Sequence, residues 1–169
     1  HREFLWVGTT QELYIYDRKN DNNISPEVIY QGFALPTETF INEIKEDNTY
    51  IYIATSNKGL FIYDKIQKKM VNPIWTNPKE MVFVSIFFDD YGHVYFASEK
   101  DIYQFKHHST IDKLSLNFPK QTLNHPITDA TFINNEMWVV RSNPEIYIFE
   151  MKESVPVRLK MFSQVYRGI

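Results

Sequence analysis

Apolar residues in this chain come in short runs of four to six, set in pairs around a polar turn. YIYIAT at 50–55 and LFIYD at 60–64 are the clearest pair, joined by SNKG. Runs of this length, rich in Tyr, Ile, Val and Phe, predict strands rather than helices. Both runs are apolar at successive positions, so each predicted strand has two faces to bury. Tyr50, Tyr52 and Ala54 point one way and Ile51, Ile53 and Thr55 the other. No segment sustains an apolar period of 3.6 residues, and no helix is expected.

The paired runs recur. Trp6, Tyr52, Tyr95 and Trp138 occupy the same place in successive pairs, at spacings of 46, 43 and 43 residues. The last aromatic of the second run repeats in the same rhythm at Tyr16, Tyr63, Phe105 and Phe149, with spacings of 47, 42 and 44. Two landmarks that share one period define a four-fold internal repeat of about 43 residues.

Each repeat reads as four strands. An inner strand comes first (FINEI at 40–44, FVSIF at 83–87, ITDATF at 127–132), followed by a turn such as EDNT or DDYGH. The two runs of the hairpin come next. A more polar outer strand closes the unit, at 26–33, 69–75, 110–118 and 155–162. Pro26, Pro73, Pro119, Pro144 and Pro156 fall at strand ends or on these outer strands, where a missing N–H does least harm. Four antiparallel strands per unit of this length predict an all-β fold, a β-propeller of four four-stranded repeats. The repeats run over about 1–39, 40–82, 83–126 and 127–161 of a single propeller domain or fragment. In such a blade the middle strands are sandwiched between neighbours, which explains their two apolar faces. Gly8, Ala54 and Ala97 stand two places after the aromatic, where blades converge.

The tail FSQVYRGI at 162–169 reads as a further inner strand that completes the first repeat. Joined tail to head, Phe162 precedes Trp6 by 13 residues, against 12 from Phe40 to Tyr52 and from Phe83 to Tyr95. Three arrangements follow: a closed four-bladed ring, half of a larger ring made with a second copy, or a section of a longer propeller. An open row of blades exposes two apolar faces that something must cover.

Composition narrows the function. The net charge of −3 leaves no basic excess, so nucleic acid is not expected as a partner. There is no cysteine, which removes disulfides, thiolate metal sites and cysteine nucleophiles. No apolar run is long enough to span a membrane as a helix. Neither a phosphate loop, an HExxH helix nor a G-x-S-x-G elbow occurs. The five histidines (1, 93, 107, 108 and 125) are not at ligand spacing, and adjacent His107 and His108 would point to opposite faces of a strand. Asp89–Asp90 and Glu46–Asp47 occupy the same turn in successive repeats, which favours turn formation over catalysis. DRKNDNNIS at 17–25 has the flavour of a calcium loop but lacks its glycine and closing glutamate, so it reads as a hairpin turn. No cofactor, no metal and no enzymatic activity are expected.

INEIKEDNTYIYIATSNKGLFIYDK, 41–65, resembles the two-component regulator propeller repeat: an apolar inner strand, an acidic turn, an aromatic followed by an Ile-Gly-Thr-like triplet, a Gly-Leu pair and Tyr-Asp. EFLWVGTTQELYIYD, 3–17, is similar to its second half, and 84–106 matches more loosely. ITDATFINNEMWVVRSNPEIYIFE, 127–150, has lost the acidic turn and the small residue. The resemblance implies the extracytoplasmic, periplasmic sensor region of a membrane-anchored hybrid histidine kinase, as found in Bacteroidetes, with a glycan as the signal. It also implies more than four repeats, generally in seven-bladed rings.

A ligand site is expected on the loops between second and third strands: Thr10 and Gln11, Asn57 and Lys58, Glu99 and Lys100, and Arg141 to Asn143. Lys58 and Arg141 would receive an acidic sugar, and Arg141 stands where the other repeats have Thr or Ser. The expected function is therefore a non-catalytic sensor that takes an oligosaccharide or other small ligand. The alternative is a protein-interaction scaffold with no small ligand.

Overall fold

A computed structural model describes residues 4–9, 12–76, 80–120, 123–143, 145–152 and 155–163. Sixteen strands and one helical turn lie within them, and the chain divides into two compact units, His1–Pro73 with Lys79–Phe83, and Ile74–Pro78 with Val84–Ile169.

The first unit holds two sheets. β1 (Phe4–Gly8), β2 (Leu13–Asp17) and β3 (Asn22–Ile24) form a three-stranded meander. β4 (Ile41–Glu46), β5 (Tyr50–Thr55), β6 (Leu60–Asp64) and β7 (Lys69–Val71) form a four-stranded one. Every residue of β5 is buried, as two apolar faces require. Ile51, Ile53 and Tyr63 share a core with Phe33, against which Trp6, Leu13, Tyr30 and Ile41 pack. Gly8 sits at a close approach of the two sheets: a Cβ there would lie 2.7 Å from Ile41 Cγ2. The convergence expected at this position is real for Gly8, and a larger residue would have to push Ile41 aside.

The outer strand expected at 26–33 is not one. β3 at 22–24 takes that place, and Pro26–Ile29 is a helical turn, α1, which also corrects the expectation of no helix. Pro26 at the first helical position presets φ, and Gly32, at φ +77°, ends the segment. A Cβ on Gly32 would lie 2.5 Å from the Lys68 carbonyl oxygen. The segment thereby delivers Tyr30 and Phe33 between the sheets. Tyr30 stacks on Trp6 at 5.4 Å, and Phe33 meets Tyr63 at 5.4 Å.

The second unit also holds two sheets. β8 (Ile74–Trp75), β12 (Thr110–Lys113), β11 (Ile102–Lys106), β10 (Val94–Ser98) and β9 (Phe83–Phe88) are neighbours in that order. β13 (Ile127–Ile133), β14 (Glu136–Arg141), β15 (Glu145–Lys152) and β16 (Val155–Ser163) form the last sheet. The outer strand expected at 69–75 is split at Pro73: β7 stays with β6, while β8 adds in parallel to β12. That at 110–118 is shortened to β12. Between the sheets Phe87, Tyr95, Ala97, Met137, Val139, Tyr147 and Phe149 form a closed core. Tyr95 packs against Phe87 and Phe132 at 5.6 and 4.9 Å.

Phe162 does not open an inner strand. It lies in β16 opposite Ile146, and 57 % of it is exposed. Residues 164–169, the rest of that expected strand, lie outside the described residues.

Candidate functional site

The residues that make the repeat recognisable are occupied in holding its turns. In the turn after β4, Asp47 Oδ1 accepts the backbone N–H groups of Thr49 and Tyr50, both at 2.6 Å, and Oδ2 accepts the Tyr52 hydroxyl at 2.7 Å. Burial, then the Asp47 hydrogen bond, pushes the Tyr52 phenol far above its ordinary range, so it stays a donor. After β9, Asp89 does the same work for the N–H groups of Tyr91 and His93 and for the Tyr95 hydroxyl, and also meets His93 Nδ1 at 2.7 Å. In the fourth repeat a two-residue turn, Asn134 and Asn135 at φ +50° and +61°, replaces this device. That is why the acidic turn is missing there.

The Tyr-Asp ending has a similar explanation. Asp17 accepts the N–H groups of Lys19 and Asn20 and the Asn20 side-chain amide. These bonds, the Asn20 amide first, hold its carboxyl below the usual range. Asp64 accepts from Ile66 and Gln67 at 2.8 Å. The 17–25 stretch is thus a hairpin, with β2 turning at 18–21 into β3. Among the described residues no group of His, Asp or Glu is arranged to hold a metal ion. His107 and His108 lie in a turn, not on a strand, at φ +50° and +57°.

The loops between second and third strands are shaped by the residue aligned with the triplet's threonine. Thr9 Oγ1 accepts from Glu12 N at 2.8 Å, Thr55 Oγ1 from Lys58 N at 3.0 Å, and Ser98 Oγ from Lys100 and Asp101 N. Each hydroxyl also donates to a carbonyl across its loop: Glu12, Gly59 and Asp101. Short polar loops closed in this way project side chains from rigid ends.

Thr10 and Gln11 lie outside the described residues. Asn57 is structural as well as polar: its Oδ1 accepts Phe40 N at 3.0 Å and its Nδ2 donates to the Glu38 carbonyl at 2.6 Å. These bonds place the loop into the inner strand beside the loop between second and third strands. Lys58 is half-buried, and Glu99 and Lys100 are exposed. Glu99 contributes its carbonyl to Ile127 N at 2.7 Å.

Arg141 is placed differently from an exposed receptor for an anion. It is 2 % exposed, lies over Phe118 at 4.1 Å, and donates to the carbonyls of His125 and Lys100. Burial lowers its pKa from the ordinary arginine value. In the sheet that lacks the loop-closing hydroxyl, this guanidinium ties together the loops that begin at Glu99 and end at Ile127. Asn143 is half-buried, and its side chain bonds Glu145.

One cavity adjoins these loops within the first unit and was not legible in the sequence. About 450 Å³ in volume, it has Leu13, Phe33 and Leu35 along its wall, and Glu12, Tyr14 and Glu38 also line it. It exists because the 26–39 segment is folded over β2 instead of running as a strand, which no periodicity announces.

The chain resembles solved structures over nearly its whole length. It matches the extracellular domain of the putative hybrid two-component system BT4673 from B. thetaiotaomicron over 99 % of its residues, with a TM-score of 0.71 and 20 % identity. A second extracellular domain of the same kind, of BT3049, matches 89 % with a TM-score of 0.65 and 18 % identity. The Dos1 propeller matches 93 % with a TM-score of 0.62 and 16 % identity. These sheets are propeller blades. The chain spans 22 %, 19 % and 46 % of those three chains respectively, and 20 % of PorZ, a bacterial surface component of the type-IX secretion system that it also matches. No family model matches the sequence, and no curated protein sequence matches it. In propeller terms, the four sheets are successive blades and β1, β5, β10 and β14 are their second strands.

Proposed function

We propose that this propeller is the non-catalytic, ligand-receiving part of an extracytoplasmic two-component sensor. The observation that carries the reading is the fold match over 99 % of the chain to an extracellular domain of a putative hybrid two-component system. The turn chemistry supports it. Asp17, Asp47, Asp64 and Asp89 are committed to backbone N–H groups, which leaves these carboxylates to architecture rather than to acid–base work.

The ligand is a saccharide, received on the loops between second and third strands. Within the first unit the 450 Å³ cavity combines an aromatic face, Tyr14, with the carboxylates of Glu12 and Glu38. Sugars are held by such pairings of a ring face with hydrogen-bond acceptors. The carboxylates favour a neutral or amino sugar over an acidic one, since like charge repels a uronic acid. Within the second unit Glu99, Lys100 and Asn143 offer polar side chains on adjoining loops.

The test is a glycan array probed with the whole chain, with product analysis on the same oligosaccharides. Expected is saturable binding of neutral or amino glycans without turnover, weakened severalfold by Glu12→Gln or Tyr14→Ala. Preference for uronic acids, or release of product, contradicts the reading. A scaffold that binds protein is the second reading, favoured by β16, where Val155, Val157 and Phe162 are each more than half exposed at 58, 55 and 57 %.

A further inference from the structure

In the loop between the second and third strands of the second blade, Asn57 bridges backbone groups on either side of Thr39. Its Oδ1 accepts Phe40 N at 3.0 Å and its Nδ2 donates to the Glu38 carbonyl at 2.6 Å. Glu38 adopts φ +56°, in the left-handed region that a glutamate disfavours. The segment is fastened a second time by the buried Thr39 hydroxyl, which donates to the Pro36 carbonyl at 2.5 Å. A disfavoured backbone persists where its surroundings over-determine it, and Asn57 supplies part of that restraint.

A blade does not need this bridge in order to pair these two loops. Ser56 N already donates to the Phe40 carbonyl, and in the fourth blade Ser142 N donates to the Pro126 carbonyl at the same spacing along the chain. Asn143 follows Ser142 as Asn57 follows Ser56, yet its side chain bonds Glu145, and Pro126 has no N–H to offer. The fourth blade thus makes the same backbone contact without an asparagine bridge. What the bridge adds in the second blade is the placement of Glu38. Glu38 lines the 450 Å³ cavity together with Glu12 and Tyr14. The backbones of both glutamates are tied down, Glu12 by Thr9 and Glu38 by Asn57, while neither carboxylate has a hydrogen-bond or ion-pair partner among the described residues. A fixed backbone under a side chain left open to a ligand is what preorganisation requires.

We propose that Asn57 is a positioning residue for the sugar site: by holding Glu38 at positive φ it sets the Glu38 carboxylate in the cavity, and with it the preference for amino over acidic sugars. The proposal rests on the saccharide reading above. It gives Asn57 a different part from the one its loop suggests, since Asn57 spends both ends of its amide on backbone groups and acts on the ligand only through Glu38.

Two measurements on the whole chain decide it. In the ligand-free protein the amide–Hα NOE within Glu38 should be strong, the mark of positive φ, and Asn57→Ala should weaken it. Calorimetric titration then compares a glucosamine oligosaccharide with a uronic-acid oligosaccharide of equal length. Asn57→Ala should weaken binding of the glucosamine oligosaccharide severalfold and lower its preference over the uronic acid, with only a small fall in melting temperature because Ser56 still pairs with Phe40. On a Glu38→Gln background, Asn57→Ala should change the affinity no further. If Asn57→Ala does not fold, Asn57→Ser, too short to reach both groups, gives the same comparison. An unchanged Glu38 NOE, an unchanged preference, or an equal loss of affinity on the Glu38→Gln background overturns the proposal. A wild type that binds neither oligosaccharide overturns the saccharide reading and the preference that rests on it, while the NOE still decides whether Asn57 holds Glu38.

Discussion

Tyr52 and Asp47 are joined by a hydrogen bond of 2.7 Å that spans the turn between inner strand and hairpin, and Tyr95 and Asp89 repeat it at 3.2 Å in the next blade. The aromatic of the repeat is thus more than packing: its hydroxyl closes the acidic turn. Trp6 and Trp138 hold the same position without a hydroxyl. Tyr52→Phe should cost about 1.5–3 kcal/mol, as loss of a bond to a charged acceptor does. Asp47→Ala, which also frees two turn N–H groups, should cost more. Urea unfolding of the two variants checks the order; equal costs would show that the turn bonds contribute nothing.

Gly8 reports how tightly the first two blades approach. Gly8→Ala forces a Cβ to within 2.7 Å of Ile41 Cγ2 and 2.8 Å of its Cβ, so the backbone itself must give. Overpacking of this kind costs about 1–3 kcal/mol. Gly8→Ala should cost less on an Ile41→Ala background, which removes Cγ1 and Cγ2, than with Ile41 in place, as a double-mutant cycle by thermal unfolding would show.

The 106–110 hairpin turn is a site of removable strain. His107 and His108 both adopt positive φ, where Asn and Gly are favoured. His107→Asn with His108→Gly should raise stability by about 0.5–1 kcal/mol, measured as a shift in urea midpoint at constant slope.

Glu145 and Asp17 give the molecule an acid limit. The Tyr147 hydroxyl and then the Asn143 side chain hold Glu145 below its ordinary 4.5, and the Asn20 amide leads in holding Asp17 below 3.8. Folded carboxylates with lowered pKa bind protons less readily than the unfolded chain. Their stabilisation is therefore complete above about pH 5 and is lost as pH falls through the folded values. The melting temperature should drop below pH 4.5, and Glu145→Gln should flatten that slope.

Arg141 separates what the sequence reveals from what it hides. Its substitution for Thr or Ser is visible in the sequence, and the structure places it at the end of β14. Its burial was not visible, because a cation in a polar loop gives no sign that Phe118, 23 residues away, will lie beneath it. Arg141→Ala should destabilise by about 2–3 kcal/mol, with Arg141→Lys recovering little, since an ammonium cannot cover the ring and reach both carbonyls. Chevron or equilibrium unfolding distinguishes the two variants.

The same contrast runs through the fold. The hairpins and inner strands were legible because burial on two faces writes a continuous apolar signal at a fixed period. The outer strands were legible only in part: 155–162 falls in β16, and 69–71 and 110–113 are strands, but 26–33 is not. β3, NNI, is short and polar, whereas PEVIYQGF looks like a strand but is bent by Pro26 and Gly32 into a segment that plugs the interface with Tyr30 and Phe33. Pro73 likewise hands Ile74 and Trp75 from one blade to the next sheet. The rim cavity follows from that bend and was equally hidden.

Backbone NMR of the whole chain, titrated with the neutral and amino oligosaccharides selected on the array, tests the account most directly. It predicts shifts concentrated at Glu12–Tyr14 and Glu38, or at Glu99–Lys100 and Asn143, with the oligosaccharide recovered intact. Shifts centred on the Asp47 and Asp89 turns, accompanied by cleavage of the sugar, would contradict it.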